Sequence, residues 1–197
     1  MKIYDISQEI FNSVVFPGDP CPKKESILRM SNGDVCNLTA FSMCAHNGTH
    51  IDAPYHFIND GKSVEQIALS KFIGYAYVAE HTGIVTKEDA RAILQKASEQ
   101  NTEAAKKILI KGNSTVSNEA AQVFADAEID LIGNESQTIG PENAPMTAHK
   151  ILLSKEVVLL EGVRLADVSE GVYLLNAAPI SLGGCDGAPC RAVLIEI

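Results

Sequence analysis

Beyond the first third of the chain, short unbroken apolar runs alternate with apolar stripes of helical spacing. Ala90, Ile93, Leu94 and Ala97 form such a stripe, and Thr86 followed by Asp89 is a capping signal, so a helix is predicted over 87–98. The run Ile108–Ile110, ending at Gly112, predicts a buried strand. Ser117 can cap a second helix through Ala127, and Ile129–Ile132 before Gly133 predicts another strand. Met146–Leu153 predicts a third helix, followed by a strand over Val157–Leu160. Strand and helix in alternation define an α/β domain.

The first third has a different rhythm. Ile27–Met30, Val35–Ala45 and Ile73–Ala79 look extended, with only a short helical piece near Ser63–Leu69, which predicts a second sheet on that side. Pro17-Gly18-Asp19-Pro20 is a turn by its chemistry, and Gly183-Gly184 with Asp186-Gly187 marks another. No internal repeat, low-complexity tract or linker interrupts the chain, so residues 1–197 are expected to form one domain.

Composition narrows the class. A chain of 197 residues, 46% hydrophobic and 21% charged, can bury a core without disulfides. No segment approaches the roughly 20 apolar residues of a bilayer span, and MKIYDISQEIF lacks the apolar run of a signal peptide. A soluble, cytoplasmic protein is expected. The net charge of −9 argues against nucleic acid or an anionic membrane as partner, since both require a clustered basic surface. Cysteines 21, 36, 44, 185 and 190 are odd in number and mostly far apart, as reduced thiols of the cytosol are.

Candidate chemistry concentrates in Ala45–Phe57, AHNGTHIDAPYHF, which holds three of the five histidines. His46 and His50 at i and i+4 would share a helix face, as in helical zinc motifs. However, Asn47-Gly48-Thr49 is poor helix sequence, Asn47 stands where a glutamate base would be, and Asp52 would face elsewhere. An extended chain instead puts His46, His50 and Asp52 on one side by its period of two. Four strand residues span about 13 Å, too far for one ion held at about 2.0–2.1 Å by both imidazoles. Gly48 after an asparagine supplies the bend that shortens this distance. Burying so many polar groups costs several kcal/mol unless something binds them, and a metal ion is the simplest partner.

The pattern His46-x-Gly48-Thr49-His50-x-Asp52-x-Pro54-x-His56 resembles the signature of the bacterial kynurenine formamidase and "putative cyclase" superfamily of metal-dependent amide hydrolases. Tyr4-Asp5-Ile6-Ser7, Phe16-Pro17-Gly18-Asp19, Thr147-Ala148-His149-Lys150, Leu160-Glu161-Gly162 and the segment from Asp186 to Ala192 are similar to further family segments, so the resemblance runs through the whole chain. It implies a single α/β domain of swivelling β/β/α type. Such a domain has a mixed or parallel central sheet, helices on one side, and a second, smaller antiparallel sheet.

The resemblance also implies two divalent ions, zinc or manganese, held by His46, His50, Asp52, His149 and Glu161, with His56 as catalytic acid/base. Five ligands cannot fill two separate tetrahedra, but with Asp52 and a hydroxide both bridging, each ion reaches four. Glu161 just after an apolar strand suits the rule that α/β sites gather at the carboxyl ends of strands. The implied reaction is attack of metal-activated hydroxide on an amide carbon, with His56 carrying the proton to the leaving nitrogen.

Substrate class is less defined. Where kynurenine formamidases carry a tryptophan before Pro-Gly-Asp, this chain has Phe16, still an aromatic wall for a pocket. Gly133-Asn134-Glu135-Ser136-Gln137 also departs from the family's aspartate-containing loop, so a linear or cyclic amide, isatin among the latter, is expected as small-molecule substrate. A metal-dependent cyclase or dehydratase and a non-catalytic metal-stabilised binding protein are the alternatives. Cys44, two residues before His46, is expected as a core residue, Cys185 and Cys190 as non-ligands, and His81 as a surface residue. The family resemblance implies a homodimer or homotetramer.

Overall fold

Thr86 opens the helical half as its spacing requires. Its hydroxyl accepts the amide of Asp89 at 3.2 Å while the Asp89 carboxylate accepts the amide of Thr86 at 2.9 Å, a reciprocal cap on α1 (Lys87–Gln100). Ser117 accepts the amide of Ala120 at 3.1 Å and heads α2 (Asn118–Asp126); α3 is Met146–Leu153. In this computed structural model residues 1–141 and 143–196 are described.

The strands, in chain order, are β1 (Ile3–Asp5), β2 (Lys23–Leu28), β3 (Leu38–Ser42), β4 (His50–Asp52), β5 (Ile73–Glu80), β6 (Gly83–Val85) and β7 (Lys107–Lys111). They continue with β8 (Ser114–Val116), β9 (Leu131–Asn134), β10 (Val158–Glu161), β11 (Gly171–Asn176), β12 (Gly187–Pro189) and β13 (Val193–Ile195). Nine of them form one curled sheet in the order β1-β13-β11-β5-β7-β9-β10-β4-β12. Its middle, β5-β7-β9-β10, is parallel and its flanks are antiparallel, so the central sheet is mixed.

Period two sorts the strand residues between two cores. Tyr77, Ala79, Ile108, Ile110, Ile132 and Leu159 point to one face, where Ala90 and Ile93 of α1, Phe124 of α2 and Leu152 of α3 meet them. Val78, Leu109, Leu131, Val158 and Leu160 point to the other, against Ile6, Ile51 and Leu194 of the curled edges. All three helices therefore lie on one side of the sheet, and each fully buried Leu or Ile contributes roughly 1.5–3 kcal/mol by leaving water. Both cores share that one sheet, so the chain is a single α/β domain. The smaller antiparallel sheet is β2–β3, an exposed arm.

Several local expectations are corrected. Ser63–Leu69 is not one helix but two separate 3-10 turns, Val64–Gln66 and Leu69–Lys71, because Ile67 and Ala68 between them are extended. The first arm strand begins at Lys23, and Met30 belongs to a turn. The strand expected over Ile129–Ile132 lies instead at Leu131–Asn134, with Gly133 inside it; a Cβ at 133 would sit 2.6 Å from the Leu160 carbonyl, and only glycine lets β9 and β10 pair there. The short parallel pair β6–β8 had no signal in the periodicity. Among the described residues no helix is long and apolar enough to cross a membrane.

Candidate metal centre

Strand register assembles the site. β4 lies antiparallel between β10 and β12, with His50 opposite Glu161 and Pro189, and Asp52 opposite Leu159 and Gly187. Directly opposed residues share a face, and so do residues two apart on one strand, which puts His50, Asp52 and Glu161 together on the helix side. Glu161 is the last residue of β10 itself, not the residue after it. From above, α3 lowers His149 onto the same spot. All four side chains are buried.

His46 arrives by a different route from the period-two expectation: it precedes β4 in a turn rather than lying on the strand. Gly48 makes that turn at φ +67°, a left-handed value that favours glycine, and a Cβ there would meet Ile10 Cδ1 at 3.0 Å. The Asn47 side-chain oxygen accepts the Cys44 amide at 2.8 Å, and Thr49 donates its hydroxyl to the Gly162 carbonyl at 2.8 Å, pinning both ends of the bend. The His46 ring then reaches Asp52, Nδ1 to Oδ1, at 2.8 Å.

Two of the imidazoles are aimed by backbone carbonyls. His50 Nδ1 donates to Gly48 O at 3.0 Å and His149 Nδ1 to Pro145 O at 2.8 Å, so each turns its Nε2 toward the carboxylates. His149 Nε2 lies 3.1 Å from Glu161 Oε1 and 3.5 Å from Asp52 Oδ2. His50 Nε2 lies 3.3 Å from Asp52 Oδ1 and 3.6 Å from Glu161 Oε2, yet it makes no hydrogen bond. A buried nitrogen directed between two carboxylates without bonding either has the placement of a ligand for a shared cation.

Three groups of donors follow, the ligand atoms within each lying no more than 4.8 Å apart: a part-exposed one, His46-His56-Asp186, and two deeper ones, His46-His50-Asp52 and Asp52-His149-Glu161. Asp52 belongs to both deeper sets. The Glu161 Oε1 atom is also held by the Ile139 amide at 2.7 Å, which orients the carboxylate from outside. Imidazole and carboxylate donors together suit borderline and harder divalent ions such as zinc or manganese, so the residues present fit the expected group.

The electrostatics match such a site. Burial opposes charging His46, but its hydrogen bonds to Asp186 and Asp52 win and push it up to about 11. His149 is raised to about 9 in the same way: burial opposes, while Glu161 and then Asp52 favour the cation. His50 is also raised, against its burial, by Asp52 and Glu161. Burial would raise Asp52, yet the His46 and His50 imidazoles hold it well below the usual carboxylate range. This is a place where positive charge is strongly favoured.

His56 ends the turn Pro54–His56 beside the donors, its ring centroid 4.1 Å from that of His46 and 6.3 Å from that of His149. Its Nδ1 lies 3.1 Å from Asp186 Oδ2. Phe16 joins His46, His50, His56 and His149 around a cavity of 240 Å³. A second cavity, of 740 Å³, shares Phe16, Gln137 and Thr138 with the first and runs on to Arg164. Asp186, Gln137 and Thr138 escaped the sequence reading as site residues. Asp186 stood out as the first half of a turn dipeptide and as the head of a segment resembling the family's carboxyl end, but not as a site residue.

The other candidates stay outside. Cys44 Sγ lies 3.9 Å from Asp19 Oδ2 and belongs to none of the donor groups. Cys190 is buried, with its thiol pushed up to about 12 by that burial, and neither it nor Cys185 joins a donor group. His81 bonds the Ile84 carbonyl at 3.3 Å, away from the donor sets.

Residues 4–141 match the family model described as "Putative cyclase". The chain belongs to this cyclase family. The matched span contains His46, His50, Asp52 and His56, while His149 and Glu161 of the cyclase-family chain lie beyond it and join the site through α3 and β10. Curated relatives extend over the whole length. The kynurenine formamidase of Erythrobacter litoralis is 30% identical over 100% of this chain and 94% of its own. That of Bacillus cytotoxicus is 33% identical over 96% and 95%. Among solved structures, one described as a potential metal-dependent hydrolase with cyclase activity is 29% identical at a TM-score of 0.81, covering 98% of this chain and 96% of that one. Isatin hydrolase A from Labrenzia aggregata shares the fold at a TM-score of 0.80 and 20% identity, over 100% and 94%.

Proposed function

We propose that this cyclase-family protein is a metal-dependent hydrolase of linear or cyclic amides that holds two divalent ions, zinc or manganese. His46, His50 and Asp52 would hold one ion, and Asp52, His149 and Glu161 the other. The carrying observation is His50 Nε2, buried and unbonded between Asp52 and Glu161. The kynurenine formamidase relatives support amide hydrolysis as the reaction.

When bound, such ions polarise an amide carbonyl and bring the pKa of coordinated water from 15.7 towards about 7, which makes it a nucleophile at neutral pH. The protein's own contribution begins with His56. Its Nδ1 is engaged by Asp186, so Nε2 is the atom left to take the proton of the attacking water and return it to the leaving nitrogen. Amide cleavage depends on that return, because an unprotonated amide nitrogen is a poor leaving group. Phe16 offers an aromatic wall to the substrate.

Cavity size narrows the substrate further. At 240 Å³ the histidine-lined cavity falls below the roughly 300–1,000 Å³ of most small-molecule sites. It accommodates the reacting amide, and the rest of the substrate extends past Phe16 into the 740 Å³ cavity. The five free cysteines suit a reducing, cytoplasmic setting.

Elemental analysis of freshly purified protein beside a Glu161→Ala variant tests the site, and a panel of aryl formamides and lactams tests the reaction. About two ions per chain, falling to one or none in the variant, with turnover of at least one amide class, is the expected result. Metal-free fresh protein, or metal with no amide turned over, overturns the reading.

A further inference from the structure

Asp186 sits where the two functional halves of the site meet. Its Oδ2 lies 2.9 Å from His46 Nε2 and 3.1 Å from His56 Nδ1, so one carboxylate oxygen engages both rings. A carboxylate only accepts, so both imidazoles donate to it. The backbone fixes this position: the Asp186 carbonyl accepts the Ala53 amide at 2.9 Å, and Gly187 stands opposite Asp52 in the β12–β4 register. A Cβ on residue 187 would come within 2.8 Å of His46 Cε1, so the glycine beside Asp186 is what allows the ring to lie so close.

His46 thus carries a carboxylate on each nitrogen, Asp52 on Nδ1 and Asp186 on Nε2. That is the arrangement in which an outer carboxylate orients an imidazole whose other nitrogen faces a cation. The His56 ring stands 4.1 Å from it, centroid to centroid, and is turned by the same oxygen. Donation from Nδ1 leaves His56 Nε2 as the proton-exchanging atom.

We propose that Asp186 is a positioning residue that couples the two: it orients His46 toward the metal site and holds His56 in the Nδ1-protonated tautomer. Asp186, His46 and His56 also group closely enough to hold an ion, but the shared Oδ2 contact with both rings assigns Asp186 to orienting them. This inference rests on the amide-hydrolase reading for its kinetic consequence, but not for its structural one.

The test uses zinc-loaded full-length protein. Long-range nitrogen–proton NMR of the imidazoles, assigned by the signals lost in His56→Gln, reports which His56 nitrogen carries the proton. Chelator competition reports metal affinity, and kcat is read against KM on whichever amide the wild type turns over. The expected result is a wild-type His56 protonated at Nδ1 that shifts to Nε2 in Asp186→Ala. Metal affinity should fall about 10–100-fold, and kcat at saturating metal should fall at least tenfold with KM changed less than threefold. Asp186→Asn, which preserves the shape, should show the same losses in weaker form if the alanine variant fails to fold, and Asp186→Glu should recover part of them. A wild-type His56 protonated at Nε2, or variants with metal affinity and kcat within twofold of wild type, overturns the proposal. A wild type that hydrolyses no amide overturns the functional reading instead, while the NMR and chelator results still decide the role of Asp186.

Discussion

His50 and Glu161 stand directly across from one another on antiparallel strands, although 111 positions separate them in the chain, and His50 Nε2 ends 3.6 Å from Glu161 Oε2. The pairing makes Glu161 a bridge between the strand-borne donors and His149 on the helix, 3.1 Å away. Glu161→Gln keeps the shape and removes the charge. It is expected to lose at least one bound ion and on the order of 100-fold in hydrolysis, measured by elemental analysis alongside turnover. Full metal content in this variant would contradict the assignment of Glu161.

His56 groups with His46 and Asp186, outside the two sets that share Asp52. His56→Ala should therefore retain both ions while losing about 10²–10⁴-fold in kcat, the usual weight of a positioned proton-transfer group. Elemental analysis and steady-state kinetics on the same preparation separate the two effects. Loss of metal together with activity would move His56 into the ligand set.

In the proposed two-ion site protons and divalent cations would compete for the same imidazoles, so pH is expected to act oppositely on the stripped and loaded protein. After chelation, the raised pKa values of His149, about 9, and His46, about 11, stabilise the fold fully below the ordinary 6.5. That stabilisation is lost as pH rises through about 9 and then about 11. The melting temperature of chelated protein should accordingly fall from pH 6.5 to 9. Zinc binding releases protons, so zinc affinity should rise over the same interval. Calorimetry in buffers of different ionisation enthalpy checks both; a stripped protein that grows more stable toward pH 9 would refute the electrostatic account.

Gly48 makes the bend that returns His46 to Asp52. At φ +67°, with Ile10 Cδ1 3.0 Å from any added Cβ, Gly48→Ala forces an L-residue into a left-handed turn and a close contact. A destabilisation of about 1–2 kcal/mol is expected, read by denaturant unfolding, with weakened binding of the ion that His46 would hold. A variant as stable as wild type with full metal content would show that the bend is not needed.

The clustering of His46, His50, Asp52 and His56 was visible in the chain because a single short segment carries them, and local chemistry such as the Gly48 bend acts within a few residues. The same locality explains why α1, α2 and α3, with capping residues at Thr86 and Ser117, were legible in outline. The period-two argument held for His50 and Asp52, which lie on β4, and failed for His46, because the bend ends the extended chain before reaching it. His149 and Glu161 had no local signal beyond a helix and an apolar strand, and only the family resemblance marked them as candidate ligands.

Sequence alone determined the donor types, the alternation of strands and helices, and a flexible residue at the point where the chain must turn, since each depends on neighbours in the chain. Tertiary structure decided which donors meet. Whether His50 faces Glu161 depends on the register of β4 between β10 and β12, and a slip of one residue would send every side chain of β4 to the opposite face. Asp186 shows this most plainly: its partners lie 140 and 130 residues away, and only the pairing of β12 with β4 brings one oxygen against both rings.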